Sequence, residues 1–238
     1  MKNDDKIKFD FGGDADFNPE NIEVEETINA VFAFDLSSSM RQSVVLKNGS
    51  TSTRCDELNK AANEFVENMA KSHVKDRLLV STIVFSDDVE VNTGFQPITE
   101  VDPFKFVPKN GMTALYGAAR IALDKAIDYR DSLIKTGVKA KTILFIISDG
   151  ENNASPESDA EYVKNKLKEL NKEEQNIMTF SSVLLGIGEE SSFKEAYEKL
   201  GFHALAVLGD DIRKAVSIIS SSVTSVSNGQ NISQNLNF

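Results

Sequence analysis

The sequence has little of what most catalytic centres and many binding sites are built from. Among 238 residues there is one cysteine, Cys55, and there are two histidines, His73 and His203. A lone cysteine excludes an internal disulfide and fits a reducing compartment. Without a His/Cys cluster there is no zinc site. His73 ends a helical pattern and His203 opens an apolar run, so both read as structural. Basic charge is also short: 26 Lys and Arg against 37 Asp and Glu give a formal net charge of -11. That argues against a nucleic-acid surface, which needs a basic patch; a solvated acidic exterior, tolerant of cations and basic partners, accounts for it. No apolar run approaches the length of a membrane-spanning helix. The N-terminus, M-K-N-D-D-K-I-K-F-D, lacks the apolar region of a secretory signal. A soluble, intracellular, cytoplasmic protein with neither membrane nor nucleic acid as partner is expected.

What remains is ordinary for a globular protein: 40% hydrophobic and 26% charged residues. The length suits one large domain or two small ones with a substantial core. Residues 1–26 are polar and acidic, and read as a loosely ordered arm. Asp10, Asp14 and Asp16 lie there beside Gly12 and Gly13, but not at the spacing of an EF-hand. From 27 to about 226, strand-like and helix-like segments alternate without a linker or repeat, and residues 227–238 read as a polar, flexible tail.

Strands are expected over residues 27–35, 77–85, 141–147, 177–188 and 203–208, with a short antiparallel edge strand at 89–91. A helix follows Thr53 and Asp56, which have the pattern of a capping box; its apolar stripe is Leu58, Ala61, Ala62, Phe65, Val66 and Met69. A second helix starts at Thr113, read as its N-cap, with a face of small residues at Ala118, Ala119, Ala122 and Ala126. Ser155-Pro156 opens a third helix. Ser192 and Glu195 give another capping box, ended by Gly201. Ile212, Ala215, Val216, Ile219 and Val223 form the stripe of the last helix. Alternation of this kind predicts an α/β fold: a Rossmann-like, mainly parallel central sheet with helices on both faces and one short antiparallel edge strand.

The most informative stretch is residues 31–40, V-F-A-F-D-L-S-S-S-M. An apolar run delivers Asp35 to the end of a buried strand, and Ser37 and Ser39 follow at alternate positions. Taken alone, the stretch reads equally as a cation site or as a serine-rich turn capping the next helix. Two further segments favour the cation. The run K-T-I-L-F-I-I ends in S-D-G-E-N-N and so places Asp149 at a strand end. Thr113 opens the helix that returns across the sheet. Open α/β sheets bind ligands outside the carboxyl ends of their strands, which is where Asp35, Thr113 and Asp149 converge. Mg2+ prefers oxygen ligands in octahedral geometry and keeps waters beside one or two carboxylates.

D-L-S-S-S at 35–39, G-M-T-A-L-Y at 111–116 and I-S-D-G-E-N at 147–152 resemble the three motifs of a von Willebrand factor type A (vWA) domain. The resemblance covers roughly 200 residues. It implies a complete metal-ion-dependent adhesion site (MIDAS). Ser37, Ser39 and Thr113 would supply hydroxyl ligands, and Asp35 and Asp149 would bind directly or through water. The cation would be Mg2+, with Mn2+ or Ca2+ as alternatives. Its open position would accept an Asp or Glu of a protein partner. Such a module is an adaptor, of the kind found beside AAA+ ATPases or in stress-response complexes, and is not an enzyme. One departure from the compact family pattern is the polar segment 41–55, long enough to overhang the metal.

Two other functions compete. A structural, homo-oligomeric assembly component could use the same fold. A Mg2+-dependent phosphotransferase of the haloacid-dehalogenase kind bears a looser resemblance. There, Ser37 stands where that chemistry needs a second aspartate, and Asp149 is followed by Gly150, Glu151, Asn152 and Asn153 instead of an acidic pair.

Overall fold

The structure, a computed structural model, describes residues 26–172, 180–230 and 232. The expected acidic arm, apart from Glu26, lies outside the described residues, as do residues 173–179, 231 and 233–238. In chain order the elements begin with β1 (Glu26–Asp35), a small hairpin of β2 (Ser43–Val45) and β3 (Thr51–Thr53), and α1 (Arg54–Ala70). Next come β4 (Leu78–Phe85), β5 (Val89–Pro97), α2 (Leu115–Lys135), β6 (Lys139–Ser148) and α3 (Glu157–Lys172). The chain continues through β7 (Phe180–Gly186), α4 (Ser191–Leu200), β8 (Ala204–Val207) and α5 (Lys214–Ser227).

Six strands form one sheet in the order β5-β4-β1-β6-β7-β8, parallel throughout except for the antiparallel β4–β5 pair. β1 lies between β4 and β6, so the chain winds away from it in both directions. A topological switch point therefore opens beside the carboxyl end of β1.

Alternation along the strands separates two apolar layers. On one face Phe32, Phe34, Phe145 and Ile147 meet Leu58 and Phe65 of α1 and Ile219 and Val223 of α5. On the other, Val31, Ala33, Leu144 and Ile146 meet α2, α3 and Phe193 of α4. Ala118, Ala119, Ala122 and Ala126 of α2 are all fully buried, so their small side chains bring the helix close to the sheet. Among the described residues, no helix is long and apolar enough to cross a membrane.

The antiparallel edge strand expected at 89–91 is present and runs on to Pro97. Thr93 continues the alternation: its hydroxyl lies 2.7 Å from that of Thr82. Phe95 then stacks on Tyr129 at 3.8 Å between ring centroids. The Thr53–Asp56 cap forms as expected, with the Asp56 N–H donating to Thr53 Oγ1 at 3.1 Å. Gly201 ends α4 in the left-handed region at φ 66°, a conformation that favours glycine.

Three capping expectations are corrected. α2 begins at Leu115, and Thr113 makes no side-chain cap. The orphan N–H groups of its first turn are met from another segment. Asn152 Oδ1 accepts from the Tyr116 N–H at 3.3 Å, and Ser155 Oγ accepts from the Gly117 N–H at 2.9 Å. Ser155 thus serves α2, not the helix it precedes. α4 has no side-chain cap at its start, because Glu195 reaches forward to Lys199 at 2.8 Å. Of the expected C-terminal tail, Ser227 closes α5 and Ile232 is fully buried in the core.

His203 is held on both ring nitrogens, with Ser182 Oγ 2.8 Å from Nδ1 and Asn171 Oδ1 3.1 Å from Nε2. Burial lowers its pKa below the ordinary histidine value. The unfolded chain then takes up a proton near pH 6.5 that the folded ring resists. The stability His203 contributes is complete above that pH and is lost as the pH falls toward the depressed folded value. Melting temperatures of wild type and His203→Gln between pH 7.5 and 5.5 are expected to converge as the pH drops; a constant difference contradicts this.

Candidate metal centre

β1 ends at Asp35 because its apolar run ends there, and β6 delivers Ser148 and Asp149 beside it. Asp35 is fully buried, yet both carboxylate oxygens are held. Oδ1 accepts from the Ser37 N–H at 2.8 Å, and Oδ2 accepts from Ser148 Oγ at 2.6 Å. Burial nevertheless pushes the Asp35 carboxyl up to about 6, against the pull of those two hydrogen bonds. No Lys or Arg among the described residues pairs with it. Asp35 is therefore a buried carboxylate short of positive charge.

A chain of contacts leads onward. The hydroxyls of Ser37 and Ser39 are 2.9 Å apart, and Ser39 Oγ donates to Asp149 Oδ1 at 2.6 Å. The turn holding these serines is pinned to the loop before α2. Ser38 N donates to the Gly111 carbonyl at 3.1 Å, and Arg41 reaches the Pro108 carbonyl at 2.6 Å and Asn110 Oδ1 at 2.7 Å. Thr113 is brought up by the loop after β6. Its N–H donates to Asn153 Oδ1 at 2.7 Å, and its carbonyl accepts from the Asn153 N–H at 3.0 Å. Its hydroxyl stands 3.5 Å from where a side chain on Gly150 would begin.

Asp35, Ser37, Ser39, Thr113 and Asp149 thus lie together at the carboxyl edge of the sheet, the first three and Asp149 in one connected set. The proton of Ser39 is directed at Asp149, so Ser37 donates across the 2.9 Å contact and one lone pair of Ser39 is left to ligate. Among the described residues no three His, Cys, Asp or Glu side chains converge on one point. The donor set is hydroxyl-rich with two carboxylates, which fits Mg2+ better than metals that demand nitrogen, sulfur or many carboxylates.

The motifs did not reveal Arg54. It is the first residue of α1, and its Nη1 donates to Asp149 Oδ2 at 2.8 Å in an ion pair whose carboxylate is fully buried. The segment 41–55 therefore acts on the site through Arg54. The hairpin is tied to the loop after β8, where Lys47 pairs with Asp211 at 2.8 Å. Nor did the motifs identify Ser148, Asn152, Asn153 and Ser155 as the residues that fix the loops. A cleft of about 450 Å³ runs beside the Arg54–Asp149 pair, with Ile187, Gly188, Ser192 and Asp210 on its walls.

The fold has counterparts among solved structures. The PilB minor pilin from Streptococcus sanguinis is 14% identical, with a TM-score of 0.58 over 85% of this chain and 62% of the pilin. BatB from Bacteroides thetaiotaomicron is 16% identical, with a TM-score of 0.54 over 84% of this chain and 99% of BatB. The von Willebrand factor type A protein from Catenulispora acidiphila is 13% identical, with a TM-score of 0.56 over 84% of this chain and 43% of that one. This chain has the vWA fold. At these identities the likeness concerns the fold alone, and this chain spans less than two-thirds of the pilin's length. Comparison with protein-family models and with curated protein sequences finds no match.

Proposed function

We propose that this vWA domain is a metal-dependent protein-interaction module. The observation that carries the reading is Asp35: fully buried, at the carboxyl end of the central strand, and without a cationic partner among the described residues. A divalent cation held by Ser37, Ser39 and Thr113, with Asp35 and Asp149 as direct or water-bridged ligands, supplies that charge. Mg2+ suits the oxygen set, with Mn2+ and Ca2+ as alternatives. When bound, such an ion offers a coordination position to an acidic ligand, and an Asp or Glu of a protein partner fits it. This chain's residues orient the cation, and no general base or nucleophile is assigned to them. A cytoplasmic adaptor beside an AAA+ ATPase or in a stress-response complex is the corresponding setting.

Three apolar side chains are exposed on the segments that precede α1 and α2: Val45 at 71%, Val107 at 73% and Met112 at 54%. Met112 adjoins Thr113, and Val45 lies on the hairpin preceding Arg54. An apolar rim around a polar anchor is the usual anatomy of a recognition surface. Affinity capture with the immobilised domain tests the reading. A specific partner is expected to be retained with Mg2+, released by EDTA and absent with Asp35→Ala. Met112→Glu is expected to weaken capture about tenfold while Mg2+ binding persists. A partner held equally with EDTA and by Asp35→Ala sinks the proposal.

A further inference from the structure

Arg54 has no explanation in the stability of its own helix. As the first residue of α1 it places a cation at the positive end of the helix dipole, where an acidic residue is favoured. Its guanidinium carries five N–H donors, yet Asp149 Oδ2 is the one acceptor its side chain meets among the described residues. Nε is buried without a partner. The side chain remains 15% exposed and borders the cleft beside Asp149. Arg54 therefore neutralises one carboxylate of the site and keeps donors in reserve next to it.

We propose that Arg54 makes the site take up its cation and a carboxylate ligand as a coupled pair, an inference that rests on the metal reading above. In the free site one of the two carboxylates, Asp149, is already paired with a guanidinium, so an incoming divalent ion meets less negative charge than the motif residues alone would provide, and Arg54 repels it. Once the ion is bound, the same guanidinium leaves the site one charge more positive than it would otherwise be. An acidic side chain arriving at the metal is then attracted by both cations, and the unused N–H donors can form charge-assisted hydrogen bonds to it. Metal alone binds weakly, while metal and carboxylate together bind tightly. Arg54 is in this sense a specificity-determining residue for an anionic ligand.

The test is calorimetric titration of Mg2+ into wild type, Arg54→Gln, Arg54→Met, Arg54→Lys and Asp35→Ala in a buffer free of carboxylates, repeated with acetate as the probe. Thermal melts establish which variants are folded, and either folded charge-free variant suffices. That variant is expected to bind Mg2+ about tenfold more tightly than wild type, with Arg54→Lys close to wild type. Acetate is expected to tighten Mg2+ binding to wild type and to do so less for the charge-free variant. A charge-free variant that binds Mg2+ no more tightly than wild type, or an equal acetate effect in both, overturns the coupling even if Asp35→Ala abolishes binding. If Asp35→Ala binds Mg2+ as well as wild type does, the metal reading itself fails and the coupling fails with it.

Discussion

Asp35→Asn is expected to abolish Mg2+ binding, by at least about a hundredfold, and at the same time to stabilise the metal-free protein. The two effects share a cause. Asp35 is fully buried, and its carboxyl is raised from 3.8 to about 6, chiefly by burial. At neutral pH the folded, metal-free protein carries an ionised group that is less stable there than in the unfolded chain. At about 1.4 kcal/mol per pKa unit, relieving that penalty is worth on the order of 2–3 kcal/mol. Asparagine fits the same space. Its carbonyl can accept the Ser37 N–H, and its amide can donate to the Ser148 hydroxyl, which rotates to receive it. The sign with pH follows. For an acid whose folded pKa is raised, the penalty is present above about 6 and disappears as the pH falls from there toward the unfolded value of 3.8. The melting-temperature advantage of Asp35→Asn in EDTA is therefore expected to be several degrees at pH 7.5 and to vanish near pH 4. A variant less stable than wild type at pH 7.5 in EDTA contradicts this reading of the site.

Phe145→Ala is expected to do the opposite: to cost about 3–5 kcal/mol of stability and leave the metal affinity of the folded protein within about twofold of wild type. Phe145 is fully buried in β6, with its ring stacked on Phe32 at 5.1 Å. Phe32 in turn contacts Phe34 at 5.7 Å and Phe65 at 5.3 Å. Truncation opens a cavity at the centre of the layer formed by α1, α5 and the sheet, where close-packed walls collapse only in part. The ring belongs to this apolar layer and not to the hydrogen-bonded set around Asp35 and Asp149. Denaturant unfolding and Mg2+ titration, run on both variants, should therefore separate cleanly: one variant loses binding and gains stability, and the other loses stability and keeps binding. If Phe145→Ala also lost metal binding while folded, the site would depend on strand packing more than its hydrogen bonds imply.

The legible parts of this protein are those written in local pattern. Strand ends could be read because an apolar run stops at a polar residue, which places Asp35 and Asp149 at one edge once the α/β alternation is recognised. Ser37 and Ser39 follow Asp35 in the same turn, and the roles of Ser37, Ser39 and Thr113 as hydroxyl ligands are what the resemblance to vWA motifs implies. What escaped was long-range. Arg54 meets Asp149 across 95 positions of sequence, and nothing in R-C-D-E-L marks it as more than the start of a helix. A threonine just before the helix favours Thr113 as the cap of α2, whereas Asn152 and Ser155 supply it from the far side of β6. A cap borrowed from another segment has no local signature. β5 looks short in sequence because Gly94 and the polar residues around it hide the alternation through Thr93 and Phe95, whose partners Thr82 and Tyr129 lie on other elements.

The proposed function requires a cation bound among Asp35, Ser37, Ser39, Thr113 and Asp149. Anomalous diffraction from crystals grown with Mn2+ tests this most directly. The expected result is a single strong anomalous peak at this site, about 2.0–2.3 Å from the Ser37 and Ser39 hydroxyl oxygens, and its loss in Asp35→Asn. A map from Mn2+-saturated crystals with no peak there, or with its strong peak on another part of the surface, would contradict the account.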